Sequence, residues 1–213
     1  ATVRAIETWQ ARDRRVRLIR MTTNGGTYRA KNAALPLARG RYVTCHDSDD
    51  VALPERFARE IRALEQQPGL AAVQSAWIRM TGAGRFVPIR WGALIHVNPA
   101  SLMFRREVLD AIGPFDGART GADTEFRERL QLFYGTGAYA YLNEPLTIGG
   151  YRTDSLTTAG AAALDEDLVS AQRLAYWAAW SCWHADCARR GAIDGDLPLR
   201  GERLPPFREI ADG

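Results

Sequence analysis

Asp47, Asp49 and Asp50 crowd three carboxylates into four residues. Carboxylates that close repel one another unless a cation or a donor-rich ligand offsets their charge. Hard oxygen donors suit Mg²⁺ or Mn²⁺, ions commonly shared with substrate phosphates. The cluster follows directly on Tyr42-Val43-Thr44-Cys45-His46, a β-branched and aromatic run that predicts a short buried strand. It therefore falls just past a strand's C-terminal end, where open α/β sheets bind their ligands. A solvated acidic loop, capping the helix that opens at Pro54-Glu55-Arg56-Phe57, accounts for the same residues. The cluster alone leaves both readings open.

The elements that must position it alternate along the chain. Residues 3–12 predict an amphipathic helix and Arg15 to Arg20 a strand. Thr22-Thr23-Asn24-Gly25-Gly26 is turn chemistry, with glycines that permit a positive φ or a close backbone approach. A helix over 28–38 stops at Arg39-Gly40, and a second, over 54–66, ends near Pro68-Gly69. Residues 70–80 predict a strand that turns at 81–84 into a hairpin partner over 85–90. An extended apolar run at 99–104 and a short helix to Ile112 follow, closed by Gly113-Pro114. A helix over 121–133 leads to two short strands within 138–152, broken at Asn143-Glu144-Pro145. Residues 161–189 predict a long helix on which Trp177, Trp180 and Trp183 form a packing stripe, and a loosely held tail ends the chain. Strands alternating with helices predict an α/β fold with a largely parallel sheet.

With 213 residues the chain can form one domain with a substantial core, alone or with an appendage. Its composition, 46% hydrophobic and 25% charged, is that of an ordinary globular protein, and a net charge of +3 is too mild to argue for nucleic acid. Three cysteines imply no self-contained disulfide framework and fit a reducing cytoplasm. Cys182, His184 and Cys187 invite a zinc reading, but they lack a paired CxxC spacing and a helix points them different ways, so helix packing is the expectation. No apolar run reaches the ~20 residues that span a bilayer and no signal peptide is visible, which leaves peripheral membrane association open.

Three segments together resemble the family 2 glycosyltransferases, nucleotide-diphosphosugar transferases of GT-A type. The first runs from Asn24-Gly25-Gly26 through Ala30-Lys31-Asn32-Ala33 and Ala38-Arg39-Gly40-Arg41-Tyr42 to Asp47-Ser48-Asp49-Asp50 and Pro54. The second joins Ser101-Leu102-Met103-Phe104-Arg105 to Gly113-Pro114-Phe115-Asp116, and the third is Gly121-Ala122-Asp123-Thr124-Glu125-Phe126. The resemblance covers about residues 1–158 and implies a partial GT-A domain there, with 159–213 a C-terminal helical appendage and tail. It implies an inverting transfer of a sugar from a nucleotide-sugar, a UDP-sugar first of all, to a carbohydrate or lipid-linked acceptor, with Mn²⁺ or Mg²⁺ as cofactor. Such a transfer needs a base for the acceptor hydroxyl and a counter-charge for the departing diphosphate.

By the same resemblance Asp49 binds the metal, Asp47 contacts the ribose or shares the metal, and Asp50 supports them. Asp123 is the base, although a helix-capping acid with Glu125 and Glu128 behind it accounts for it equally simply. Glu125 is the fallback base. Asn24, Lys31 and Asn32 lie beside the nucleotide, and Arg152, in Tyr151-Arg152-Thr153-Asp154-Ser155, helps neutralise the diphosphate. Many members carry a histidine metal ligand shortly after that arginine, where Asp154 stands here. Members also open with about 40 residues, a βαβ-sized unit, that have no counterpart here. The expectation is an N-terminally incomplete domain, with a sheet edge free for self-association. A catalytically inactive, glycosyltransferase-like binding or scaffold module is the alternative.

Overall fold

Alternation along two adjacent strands divides the molecule into two apolar layers. The computed structural model describes residues 2–89, 92–152 and 170–189. In β3 (Ala72–Thr81) and β6 (Met103–Arg105) successive side chains point to opposite faces. Ala72 and Phe104 join one buried cluster with Tyr28, Val43, Phe115, Phe126 and Leu130, while Val73 and Met103 join another with Leu64 and Leu70. The first cluster packs under α2 (Thr27–Ala34), α4 (Val108–Ile112) and α5 (Ala122–Tyr134); the second packs under α3 (Arg56–Gln66). Phe104, Phe115 and Phe126 pack ring against ring at centroid distances of 4.6 to 6.4 Å, tying α5 to the sheet.

The strands run in the order β1 (Tyr42–Thr44), β6, β3, β7 (Tyr139–Tyr151), β2 (Val51–Ala52), and β4 (Phe86–Val87) and β5 (Ile95–Val97) also pair with β3. The α/β class is as expected. The sheet, however, is mixed rather than largely parallel: β3 and β7 run parallel, and the other described pairs are antiparallel. Short links such as the turn from Thr81 to Arg85 can join only antiparallel neighbours, whereas β7 is reached through α4 and α5.

Three local expectations change. Residues 16–20 form no strand, since no described strand lies beside them to complete a ladder. The two strands expected within 138–152 are one, β7, with a bulge where the register jumps from Ser75↔Leu142 to Ala76↔Pro145. Pro145 has no N–H for the ladder and is accommodated at that irregularity. On α6 (Ala171–Arg189) the buried face is Tyr176, Trp180, His184 and Cys187, while Trp177 is exposed. Four-residue steps keep side chains on one face, whereas the three-residue tryptophan spacing drifts off it. Residues 161–169, the tail and Asp154 lie outside the described residues. No described helix is long and apolar enough to cross a membrane.

Candidate active site

Beyond β1 the chain passes through Cys45 and His46 into the acidic loop and re-enters the sheet as β2, which pairs Val51 with Ile148 and Ala52 with Thr147 of β7. Arg56, fully buried at the start of α3, holds the loop from beneath. Its Nη2 donates to Thr44 Oγ1 and to the Cys45 carbonyl, each at 3.1 Å, and its Nη1 donates to His46 Nδ1 at 3.1 Å. His46 Nε2 lies 3.2 Å from the Asp50 carbonyl. A guanidinium only donates, so a neutral ring with its hydrogen on Nε2 satisfies both contacts. Glu60, one turn along α3 and equally buried, balances Arg56 at 3.1 Å and accepts the Ser75 hydroxyl at 2.7 Å. Burial pushes the Glu60 carboxyl upward in pKa, against the pull of Arg56 and Ser75.

On the opposite side β7 grips the loop. The Gly150 N–H donates to Asp50 Oδ1 at 3.0 Å, and a Cβ on Gly150 would meet the Asp49 carbonyl oxygen at 2.5 Å. Only glycine lets the two backbones approach this closely. The second oxygen, Asp50 Oδ2, is buried without a hydrogen-bond partner among the described residues. Burial raises the Asp50 pKa, and the charges of Asp47 and Asp49 add to the effect while the Gly150 N–H opposes it.

The two more exposed carboxylates each face a cation. Arg152 Nη2 lies 3.1 Å from Asp49 Oδ2, and Lys31 Nζ lies 3.7 Å from Asp47 Oδ1. The Lys31 ammonium also sits 5.3 Å from the centre of the Tyr28 ring. The buried Tyr28 hydroxyl is hydrogen-bonded to the Asp123 side chain; burial, then the Asp123 charge, drives its pKa well up. Asp123 stands in the first turn of α5, just after Gly121 in the left-handed region at φ 80°, and its Oδ1 accepts the Thr124 N–H at 2.8 Å. Cys45 lies between the two acidic stations: its thiol is raised in pKa by burial, with Lys31, Asp47 and Asp123 all close enough to act on it.

The other expected residues are placed differently. The Glu125 carboxylate is buried away from Asp123, accepting from Arg129 Nη2 at 2.9 Å and meeting His184 Nε2 at 3.1 Å. Two helical residues apart is about 200° of rotation, which sends Asp123 and Glu125 to opposite sides of α5. Asn32 uses its whole amide on one backbone unit, donating to the Phe115 carbonyl at 2.7 Å and accepting the Phe115 N–H at 3.1 Å. Asn24 accepts the Gly26 N–H at 3.3 Å and shapes the turn into α2. Sequence reasoning missed Arg56, Glu60 and Gly150 and read His184 as helix packing; the i, i+4 spacing of Arg56 and Glu60 on the inner face of α3 was the available signal.

Among the described residues no three His, Cys, Asp or Glu side chains converge as a ready-made metal site. The donor set still fits Mg²⁺ or Mn²⁺ of the kind held by one or two carboxylates and completed by substrate phosphates. Asp49 and Asp47 supply hard oxygens, and Arg152 and Lys31 occupy the positive positions beside them.

Comparison with known proteins bears on the same stretch. The model of glycosyl transferase family 2 matches residues 1–124, which takes in the acidic loop and Asp123. The chain is similar to the uncharacterized glycosyltransferase MJ1057 of Methanocaldococcus jannaschii, 35% identical over 60 residues that make up 28% of this chain and 21% of that protein. It is also similar to the succinoglycan biosynthesis protein ExoO of Rhizobium meliloti, 40% identical over 63 residues, 30% of this chain and 18% of that one. It thus spans about a fifth of the length of these relatives. The structure of S. aureus TarS in complex with UDP-GlcNAc shares the fold, with a TM-score of 0.58 at 17% identity, covering 75% of this chain and 48% of that one.

Proposed function

The chain belongs to glycosyl transferase family 2, and we propose that it moves a sugar from a nucleotide-diphosphosugar to a carbohydrate or lipid-linked acceptor, with inversion at the anomeric carbon. A UDP-sugar is the donor of first choice. The observation that carries this reading is the pairing of Asp49 with Arg152 and of Asp47 with Lys31, with Asp47 and Asp123 both near enough to Cys45 for their charges to act on its thiol. The two carboxylates and two cations, now paired with each other, supply charges that suit a divalent ion and a diphosphate.

In the reaction Asp123 takes the proton of the acceptor hydroxyl, the acceptor oxygen bonds to the anomeric carbon, and the bond from that carbon to the diphosphate oxygen breaks. Tyr28 and the Thr124 N–H hold the Asp123 carboxylate in place for this. Arg152 and Lys31 turn from Asp49 and Asp47 to the diphosphate and offset the charge it gains as it leaves. Asp49 and Asp47 would hold a Mn²⁺ or Mg²⁺, which would supply Lewis-acid charge offset for the leaving group. Asp50, Asn32 and Glu125 act as supports: Asp50 fastens the loop to β7, Asn32 fastens α2 to Phe115, and Glu125 anchors α5 from behind. A glycan acceptor accords with the biosynthetic role named for ExoO, and free cysteines accord with a cytoplasmic site.

Transfer by the whole protein, measured with Mn²⁺ against UDP-, GDP- and dTDP-sugars, tests the reading. Asp123→Asn is expected to lower kcat by about 10²- to 10⁴-fold with donor binding kept. Asp49→Ala is expected to abolish Mn²⁺-dependent donor binding. Full activity in either variant refutes the site, and no metal-dependent UDP binding by calorimetry favours an inactive binding module.

A further inference from the structure

The C-terminal helix α6 touches the back of the helix that carries Asp123, beyond the residues that the family model matches. His184, buried on α6, places Nε2 3.1 Å from Glu125 Oε1. The other Glu125 oxygen accepts from Arg129, which in turn donates to the Ile112 and Pro114 carbonyls at 2.6 and 2.8 Å. The same carboxylate therefore joins α6, α5 and the turn after α4. Tyr176, two turns before His184 on α6, packs over the left-handed Gly121 that starts α5: a Cβ there would lie 3.5 Å from the Tyr176 ring. Trp180 and Trp183 flank the His184 ring at 4.9 and 5.0 Å and fix its direction.

We propose that α6 is a positioning element for the transfer: His184 acts through Glu125 to fix the first turn of α5, and with it the direction of the Asp123 carboxylate. Because Glu125 lies about 200° around the helix from Asp123, a contact that pins one at the back sets the rotation of the other at the front. The main-chain bond from the Glu125 N–H to the Gly121 carbonyl, 3.2 Å, closes the turn between them. A base displaced by a fraction of an ångström loses rate without losing donor affinity, since donor contacts lie on the acidic loop and at Arg152. His184 touches no reacting atom and is a positioning residue.

The proposal rests on the assignment of Asp123 as base, so its test carries a readout independent of activity. In the whole protein, His184→Ala is expected to speed amide exchange at residues 121–126, and to lower kcat about tenfold with donor KM within about twofold. His184→Gln, which keeps a side-chain N–H donor, is expected to restore most of both. Cys187→Ala serves as control: it trims the α6 packing against Leu132, Phe133 and Trp183 without touching Glu125. It is expected to lower the melting temperature and leave kcat in place. Unchanged exchange at 121–126 in His184→Ala, or an equal fall of kcat in Cys187→Ala, overturns the proposal. A whole protein that transfers no sugar while His184→Ala still loosens 121–126 overturns the glycosyltransferase reading and leaves the coupling of α6 to α5 standing.

Discussion

At Asp49 two positive partners compete for one carboxylate. Arg152 holds it now, and in the proposed site a divalent ion would need the same oxygens. A diphosphate would need Arg152. Metal and nucleotide would then help one another, each releasing the residue that the other requires, with reciprocal coupling. Calorimetry is expected to show UDP binding at least about tenfold tighter with Mn²⁺ than without, and Mn²⁺ tighter with UDP by the same factor. Arg152→Ala is expected to strengthen Mn²⁺ binding in the absence of UDP, because Asp49 is released, while weakening UDP. A fall in both affinities would show that Arg152 merely shapes the loop. Asp47 and Asp49 stood out in the sequence because their types and spacing are local facts, and Asp123 only through the family resemblance. The same spacing could not reveal that Asn32 and Glu125 are spent on Phe115 and on Arg129 with His184. An amide or carboxylate has its partner chosen by whatever the fold brings beside it.

Among the elements, α3 and β5 carry the next predictions. Arg56→Ala removes the charge that, among the described residues, balances buried Glu60 through a direct bond, and unties Thr44, Cys45 and His46 together. Removing one member of a buried pair costs about 3–5 kcal/mol. Denaturant unfolding should register a loss of that order, along with lost Mn²⁺-dependent UDP binding. A variant as stable as the parent would show that the pair is relaxed by solvent. On β5, His96 Nδ1 accepts the Trp77 indole N–H at 2.9 Å, which requires that nitrogen unprotonated. Burial, then the Arg79 charge, lowers the His96 pKa below its ordinary 6.5. The unfolded chain therefore takes up the proton first as pH falls, so this contribution to stability is complete above about 6.5 and is lost as pH drops through the lowered value. The protection factors of the amides at residues 95–97 should fall between pH 7 and 5, and His96→Gln should remove that dependence. Equal pH dependence in the variant would assign the effect to another group.

For the whole molecule, the question is whether α6 and the sheet domain fold as one. The boundary expected near residue 158 lies outside the described residues, but α6 buries Tyr176, Trp180, His184 and Cys187, and His184 reaches Glu125 of α5. A helix docked by a buried hydrogen-bond contact and an aromatic face should not melt alone. Thermal unfolding followed by tryptophan emission, to which Trp177, Trp180 and Trp183 contribute, should coincide with the far-ultraviolet circular dichroism transition. An earlier emission change would mean that α6 undocks first. Such early undocking would weaken any role for His184 in catalysis.

The sequence by itself determined the order of the elements, the acidic loop past a short strand and the residue types around it, because helix and strand periods, turn glycines and charge spacing act within a few residues. Tertiary structure alone decided which of those residues meet. Asp50 finds Gly150 across 100 positions, Asn32 finds Phe115 across 83, and His184 finds Glu125 across 59. It also decided that the sheet is mixed and that Pro145 sits at a bulge instead of ending a strand. Contacts at such separations depend on how the apolar faces of distant segments pack, and no local pattern encodes that choice.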